Sequence, residues 1–154
     1  TSIDPKSNKI FYKKYFHIGF AVDTPHGLMV PKIRNVEQMS IKEIGENLKK
    51  TSKLCRELKI DKKEFFGGSI TISSLGGIGG THFTPIINPP EVAILGVGKS
   101  YDKLVKVKDK IMSRKVLPIS LSYDHRIIDG AEGARFCVYL GECLGKDFAF
   151  KLAV

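Results

Sequence analysis

A histidine between two opposite charges is well placed in this chain for proton transfer. His125 stands between Asp124 and Arg126, after an apolar run typical of a strand and before a helical pattern. An imidazole at the end of a strand can accept a proton near pH 7, because its ordinary pKa is about 6.5. The spacing leaves an alternative open, in which His125 is a structural histidine held by hydrogen bonds.

An acidic residue, Asp129, follows the histidine and directly precedes Gly130 and Ala131. A carboxylate at this position can cap the helix that begins there, because it accepts hydrogen bonds from free backbone N–H groups and complements the helix dipole. The residues alone therefore give Asp129 a capping role that needs no chemistry.

The segment Ser69-Ile70-Thr71-Ile72-Ser73 alternates hydroxyl-bearing and apolar residues. Successive side chains of a strand point to opposite faces, so Ser69, Thr71 and Ser73 are predicted to share one face while the isoleucines share the other. A row of hydroxyls facing one way is an unusual feature of a strand.

Several common kinds of site do not fit the sequence. Ser73 lacks the G-x-S-x-G context of a nucleophile elbow, and the glycine run 76–80 matches neither a P-loop nor the G-x-G-x-x-G pattern. The remaining histidines have no metal-ligand spacing, and the cysteines form no C-x-x-C pair, which disfavours a metal site or a disulfide scaffold. These residues are His17, His26, His82, Cys55, Cys137 and Cys143.

Hydrophobic periodicity and turn signals predict the elements that position these residues. Ser40 and Glu43 have the spacing of a capping box, so a helix should begin after Ser40. Its apolar stripe, in which Cys55 is a small buried residue rather than a nucleophile, is Ile41, Ile44, Leu48, Cys55 and Leu58. A short helical turn is predicted after Asp61, a loop at 76–80, a turn at 88–90 and a last helix over 131–144. Strands are predicted at 15–22 and 27–33, with a turn at 23–26 between them, and at 69–73 and 92–97. Two further strands are predicted at 104–107 and 116–121, with a lysine-rich connection between them. The first ten residues are predicted to be a loop or an extended approach.

The composition is that of an ordinary globular domain. The 154 residues are 42% hydrophobic and 27% charged, which provides enough apolar surface for one core. At least five strands and two long helices predict an α+β fold, a sheet with helices on one face. No apolar run approaches the ~20 residues that cross a membrane, and no signal-peptide stretch begins the chain, so we expect a soluble intracellular protein. The net charge of +9 fits a lysine-rich solvated surface, although an anionic cofactor, a membrane surface or a nucleic acid would also attract it.

Three segments resemble one known family. Residues 121–131, LSYDHRIIDGA, look like the D-H-R-x-x-D-G-A motif of the dihydrolipoyl acyltransferase components of 2-oxo acid dehydrogenase complexes. Residues 68–97, with T-I-S-S, G-G-T and P-I-I-N-P-P-E-V-A-I-L-G-V, and residues 16–28 are similar to the same family. The likeness covers nearly the whole chain and is closest to the pyruvate-specific, acetyl-transferring branch.

The resemblance implies a chloramphenicol-acetyltransferase-like mixed sheet that forms trimers. It also implies transfer of an acetyl group between dihydrolipoamide and coenzyme A by direct exchange of thiol and thioester. In the family pattern His125 matches the general base that acts on the coenzyme A thiol. Ser73 matches the hydroxyl that stabilises the oxyanion, and Asp129 matches an acidic position that supports the imidazole, with Arg126 holding the geometry by charge pairing. The family builds its site between subunits, so His125 and Ser73 need not meet within one chain.

The resemblance also predicts partners and domain organisation. The expected partners are two further copies in a homotrimer, a larger polyhedral core, and the pyruvate dehydrogenase and dihydrolipoamide dehydrogenase subunits, with no nucleic acid, membrane or metal. Residues 1–154 are expected to be the C-terminal portion of an acyltransferase domain. The lipoyl group would then be carried on a domain outside this sequence. A bacterial cytoplasm is favoured over a mitochondrial matrix, and the apolar residues of 146–154 are expected to dock onto a neighbouring trimer. Succinyl or branched-chain acyl transfer, or an inactive structural core, are the alternatives.

Overall fold

The computed structural model of the chain describes residues 1–4, 6–145 and 148. In this part of the chain the strands are β1 (Ser2–Asp4), β2 (Lys9–Phe11), β3 (Ile18–Phe20), β4 (Val22–Thr24), β5 (Gly27–Met29), β6 (Lys32–Ile33), β7 (Ile70–Ser74), β8 (Ala93–Val97), β9 (Tyr101–Val107), β10 (Lys110–Val116) and β11 (Ile119–Tyr123). The long helices are α1 (Ile41–Arg56) and α2 (Gly130–Cys143), and short 3-10 turns lie at Val36–Gln38 and Lys62–Phe65.

Five of the strands form a central mixed sheet in the order β11-β8-β7-β3-β6. β3, β7 and β8 are parallel to one another, whereas the outer strands β11 and β6 are antiparallel to their neighbours. The remaining strands pair as hairpins, β1 with β2, β4 with β5, and β9 with β10. The α+β fold predicted from the sequence is confirmed.

Both helices cover the same face of this sheet. Ile70 lines a cavity together with Phe136 of α2, and Ile72 lines a second cavity together with Leu48 of α1. Because Ile70 and Ile72 are two positions apart in β7, they point to the same face. The prediction of helices on one face is therefore confirmed, and the hydroxyls of Thr71 and Ser73 point to the other face.

The predicted capping box begins α1. Glu43 N donates to Ser40 Oγ at 3.3 Å, and Ser40 N donates to Glu43 Oε2 at 2.7 Å. Cys55 is fully buried, as predicted, and burial raises the pKa of its thiol. The predicted stripe is wrong at its ends, where Ile41 and Leu58 are 60% and 56% exposed. Ile41 is the first residue of the helix. Leu58 lies two residues beyond its last residue, Arg56, and has a φ of 54°, so it leaves the helical periodicity.

Two hairpins were not predicted. Ser2–Asp4 and Lys9–Phe11 pair as β1 and β2, with Ser2 opposite Phe11, where a loop or an extended approach was expected. The lysine-rich connection is itself strand β10, which pairs with β9 around a turn at Lys108 and Asp109. Most residues of β2 and β10 are exposed, so no apolar alternation marks these two strands in the sequence. The strand predicted at 104–107 is present as the second half of β9.

The smaller predicted elements are present with adjusted bounds. The turn between β4 and β5 is shorter than predicted, because Thr24 pairs with Gly27 and only Pro25 and His26 connect them. The helical turn after Asp61 is a 3-10 turn, in which Lys63 N donates to Asp61 Oδ1 at 2.9 Å. The structure has turns at the glycine run and at 89–90, as predicted. Within the described residues, no helix combines the length and apolar character that crossing a membrane requires.

Candidate active site

The turn after β11 carries His125. Asp124 N donates to Val92 O at 2.8 Å, which extends the pairing of β11 with β8 by one bond. Asp124 O then accepts hydrogen bonds from Ile127 N at 2.9 Å and Ile128 N at 3.0 Å. These bonds fold the chain into a tight turn, and His125 is exposed on it.

The residues on either side of His125 form an ion pair across it. Arg126 Nη2 donates to Asp124 Oδ2 at 2.6 Å, and Arg126 Nε donates to Asp124 Oδ1 at 2.9 Å. The side-chain and backbone hydrogen bonds from Arg126 lower the pKa of Asp124 to about 2, so the carboxylate stays ionised at neutral pH. The charge pairing expected of Arg126 is present, and it fixes the backbone that holds His125.

Asp129 caps α2. Glu132 N donates to Asp129 Oδ1 at 2.7 Å, and Gly133 N donates to the Asp129 carbonyl at 3.0 Å. The capping role indicated by the sequence is therefore confirmed. Asp129 thereby joins the His125 turn to the start of the last helix; its support of the imidazole stays a prediction.

Tyr123, the last residue of β11 before this turn, was not singled out from the sequence. Its ring centroid lies 5.7 Å from that of His125, with the two planes inclined by 40°. On its other side it packs against α2 at Gly133, where an added Cβ would come within 2.8 Å of the Tyr123 ring. The alternation of side chains along β11 could have predicted this position, because it places Tyr123 on the same helix-facing side as Leu121.

Ser73 lies on the sheet face away from the helices. It is half-buried in β7 and pairs with Gly96 of β8. Gly96 itself lies under Phe83 and Pro85, whose atoms an added Cβ would approach to 3.1 and 3.2 Å. The predicted row is present, but its members differ: Ser69 Oγ donates to Tyr15 O at 3.0 Å, whereas Thr71 is fully buried.

Within one chain His125 and Ser73 lie at opposite ends of the sheet. Ser73 is level with Gly96 and Ser120, near the C-terminal end of β8, whereas Tyr123 pairs with Ala93 at its N-terminal end. Three residues of strand correspond to about 10 Å, and two strand spacings add about 10 Å sideways. Because His125 follows beyond Tyr123, a single chain does not bring its imidazole to the Ser73 hydroxyl.

A buried polar cluster lies on the same face as Ser73 and was missed by the sequence analysis. It consists of Lys32, Thr71 and Glu91, all of which are buried. The only signal for the cluster was the position of its charged residues next to apolar ones. Lys32 lies between Pro31 and Ile33, and Glu91 lies shortly before the apolar strand β8. Such a residue is read from sequence as exposed unless its partner is known.

The three best-defined cavities of the described residues lie away from His125, Ser73 and Asp129. Three cavities, of about 400, 270 and 450 Å³, border the helices, and none of these is lined by His125, Ser73 or Asp129. No cluster of three or more His, Cys, Asp or Glu that could hold a metal ion exists among residues 1–4, 6–145 and 148. The segment 146–154, predicted to dock onto another trimer, falls outside the described residues except for Phe148.

Sequence comparison identifies relatives of the whole described fold. A family model for the 2-oxoacid dehydrogenases acyltransferase catalytic domain matches residues 1–149. The dihydrolipoyllysine-residue acetyltransferase component of the pyruvate dehydrogenase complex of Cupriavidus necator is 52% identical over 137 residues. That match covers 89% of this chain and 25% of the relative, so the chain spans about a quarter of the relative's length.

Solved structures agree with the sequence match. A dihydrolipoamide acetyltransferase of Azotobacter vinelandii, in which the catalytic roles of a serine, a histidine and an asparagine were investigated, has a TM-score of 0.91 and 49% identity. The cubic core of the pyruvate dehydrogenase multienzyme complex matches with the same TM-score and identity, and each match covers 96% of this chain and 61% of the other. The mixed sheet, the D-H-R motif and these matches together place the chain in the 2-oxoacid dehydrogenase acyltransferase family.

Proposed function

We propose that the chain transfers an acetyl group between dihydrolipoamide and coenzyme A as part of the core of a pyruvate dehydrogenase complex. The observation that carries the proposal is His125, exposed on a turn that the Asp124-Arg126 ion pair and the Asp129 cap hold in place. The residues investigated in the Azotobacter protein support it, because their separations of 52 and 4 positions equal those of Ser73, His125 and Asp129.

His125 acts as the general base in this proposal. A thiol with a pKa of about 8.5 is only a few per cent thiolate at pH 7, so removal of its proton by an imidazole contributes about 10²–10⁴ in rate. The coenzyme A sulfur then attacks the thioester carbonyl and forms a tetrahedral intermediate. When the carbon–sulfur bond to dihydrolipoamide breaks, the departing sulfur takes the proton from the imidazolium, so no acyl-enzyme is needed and His125 returns to its neutral form.

Ser73 donates a hydrogen bond to the oxyanion of the intermediate, and it does so from a neighbouring subunit. Loss of one such donor typically costs about 10²–10³ in rate. The separation of His125 and Ser73 along one sheet supports this arrangement, because two chains can bring together residues that one chain holds apart. A closed trimer gives each copy the same two contacts, one through His125 and one through Ser73.

Asp129 supports the imidazole through the helix that it caps. The Azotobacter protein has an asparagine at the corresponding separation from its histidine. Asparagine and aspartate both serve as N-caps, so a cap without charge fulfils the same positioning role. Asp129 therefore acts by holding the turn rather than by transferring a proton.

The proposal includes the surroundings of the reaction. The acetyl donor is a lipoyl group carried on another domain, and coenzyme A is the acceptor. The core of trimers forms a polyhedron that receives pyruvate dehydrogenase and dihydrolipoamide dehydrogenase subunits in the cytoplasm of a bacterium. The cubic core among the solved matches and the pyruvate dehydrogenase component among the relatives support these partners.

An acetyl-transfer assay of the assembled protein tests the function. Wild type should transfer acetyl from acetyl-dihydrolipoamide to coenzyme A, and His125→Ala should be slower by about 10²–10⁴. His26→Ala is the matched control, because His26 is also an exposed histidine in a turn. Succinyl and isobutyryl donors run in parallel decide the acyl class. Full activity of His125→Ala would contradict the proposal.

A further inference from the structure

The buried cluster on the Ser73 face forms a closed set of hydrogen bonds. Lys32 Nζ donates to Glu91 Oε1 at 2.5 Å and to Thr71 Oγ1 at 3.3 Å. Thr71 Oγ1 donates to Glu91 Oε2 at 2.6 Å. The side chains of Lys32 and Glu91 are each only 1% exposed. Both carboxylate oxygens and the threonine hydroxyl are therefore engaged within the cluster.

Two glycines make room for the cluster. An added Cβ on Gly19, which lies in β3 between Lys32 and Thr71, would collide with the Thr71 hydroxyl and would lie 2.6 Å from Lys32 Nζ. An added Cβ on Gly68 would collide with Glu91 and would lie 2.7 Å from Lys32 Cε. The Lys32 side chain thus reaches across β3 in a space that only a residue without a side chain leaves open.

The cluster is linked by short paths to both halves of the proposed site. Thr71 is two positions before Ser73 in β7, so the two hydroxyls share one face. Glu91 directly precedes Val92, whose carbonyl accepts the hydrogen bond from Asp124 N at 2.8 Å. Asp124 is the residue before His125. Through Thr71 and Glu91, the buried cluster therefore connects the strand of the oxyanion donor to the turn of the general base.

A buried ion pair is a poor way to increase stability. Removing two charges from water costs several kcal/mol per ion, and well-packed apolar residues in their place are often equally stabilising. What the pair provides is a fixed distance, because a charge-assisted set of hydrogen bonds tolerates little displacement. In this chain the pair fixes the relative positions of segments that are distant in the sequence.

We infer that Lys32, Glu91 and Thr71 are positioning residues, which hold Ser73 and the His125 turn in register within each subunit. This inference rests on the proposed function. If each subunit gives His125 to one site and Ser73 to the next, its cluster sets the spacing between neighbouring sites. A displacement of β7 would then weaken oxyanion stabilisation without altering the binding of coenzyme A.

Three variants of the assembled protein test the inference. Thr71→Val removes the hydroxyl at nearly constant volume, Thr71→Ser keeps it, and Ser69→Ala is the matched control. Ser69 precedes β7 on the same face and its hydroxyl bonds backbone atoms, yet it does not contact the ion pair. We expect Thr71→Val to lower kcat about tenfold and to leave the KM for coenzyme A within about twofold of wild type. The reason is that a displacement of the Ser73 hydroxyl by less than about 1 Å mainly weakens its hydrogen bond in the transition state. Thr71→Ser should restore kcat to within about twofold.

Hydrogen exchange provides a second readout that does not depend on turnover. Exchange at the Asp124 amide should become faster in Thr71→Val but not in Ser69→Ala, because only the first variant loosens Glu91 and its neighbour Val92. An unchanged kcat per folded subunit in Thr71→Val would overturn the inference, as would an equal loss in Ser69→Ala or no rescue by Thr71→Ser. Wild type and His125→Ala measured alongside test the proposed function separately. If wild type transferred no acetyl group, that function would fail, and exchange at Asp124 would still decide the positioning role.

Discussion

Two ion pairs in this chain have similar chemistry and opposite surroundings. Asp124 and Arg126 are two positions apart, and their side chains are 17% and 67% exposed. Lys32 and Glu91 are 59 positions apart, and each is 1% exposed. The first pair shapes one turn, whereas the second joins strand β6 to Glu91, two residues before β8.

The difference predicts which pair the fold depends on. An exposed pair is screened by water and typically contributes less than about 1 kcal/mol. A buried pair that loses one partner leaves an uncompensated charge in the interior, which costs about 3–5 kcal/mol. Loss of the exposed pair should therefore change only the local geometry of the His125 turn. Loss of the buried pair should lower the stability of the whole fold.

The largest expected effect comes from breaking the buried pair. Lys32→Met keeps most of the length of the side chain and leaves the Glu91 carboxylate without its cation, so the free energy of unfolding should fall by about 3–5 kcal/mol. Denaturant unfolding measures it. The double variant Lys32→Met with Glu91→Leu removes both charges and should regain much of the loss. A single variant as stable as wild type would contradict the burial of this pair.

Filling the space across β3 should have the next largest effect. Gly19→Ala forces the cluster apart, and overpacking of this kind costs about 1–3 kcal/mol. Gly45→Ala is the control, because nothing lies within 4 Å of an added Cβ there and the residue is inside α1. In a helix the change from glycine to alanine should stabilise by about 0.5–1 kcal/mol. Opposite signs in thermal unfolding are expected, and equal effects would contradict the close fit around Gly19.

The cap of α2 separates the role of the Asp129 oxygen from that of its charge. Asp129→Ala removes the bond from Glu132 N and should cost about 1 kcal/mol of stability. Asp129→Asn keeps an acceptor and should retain both stability and acetyl transfer. Thermal unfolding and kcat measure the two effects. Loss of activity in the asparagine variant at full stability would show instead that the carboxylate charge is needed.

The exposed pair should produce the smallest effect, and it is visible as a pH dependence. The pKa of Asp124 is lowered to about 2 from its ordinary 3.8, so the pair stabilises the folded turn above about pH 4 and loses this contribution as the pH falls towards 2. Arg126→Gln should return the pKa towards 3.8, as NMR titration of the carboxyl carbon would show. Its effect on stability at pH 7 should be the smallest of the four, because water screens an exposed ion pair. An unchanged pKa would contradict the ion pair.

Much of the fold could be predicted where local signals agree with burial. The Ser40 capping box, the alternation at 69–73 and the apolar run at 92–97 all became the expected elements, because each pattern reflects contact with the core. Strands β2 and β10, and therefore the hairpins that they complete, could not be predicted, since strands exposed on both faces carry no period-two apolar signal.

The candidate site could be predicted only in part. The motif around His125 and the Asp129 cap are local, and they follow from residues adjacent in the sequence. The Lys32-Glu91-Thr71 cluster is not local, because its members come from distant segments and only the sheet order brings them together. Sequence alone also could not show that β7 and β11 place Ser73 and His125 at opposite ends.

Subunit complementation tests most directly the claim that His125 and Ser73 act from different chains. His125→Ala and Ser73→Ala are prepared separately, unfolded together in equal amounts and refolded into mixed trimers. In a cyclic trimer with random mixing, about a quarter of the interfaces combine an intact His125 with an intact Ser73 from the neighbour. The mixture should therefore recover about a quarter of the wild-type kcat, although each variant alone is nearly inactive. Mixed trimers no more active than the separate variants would contradict a site shared between chains.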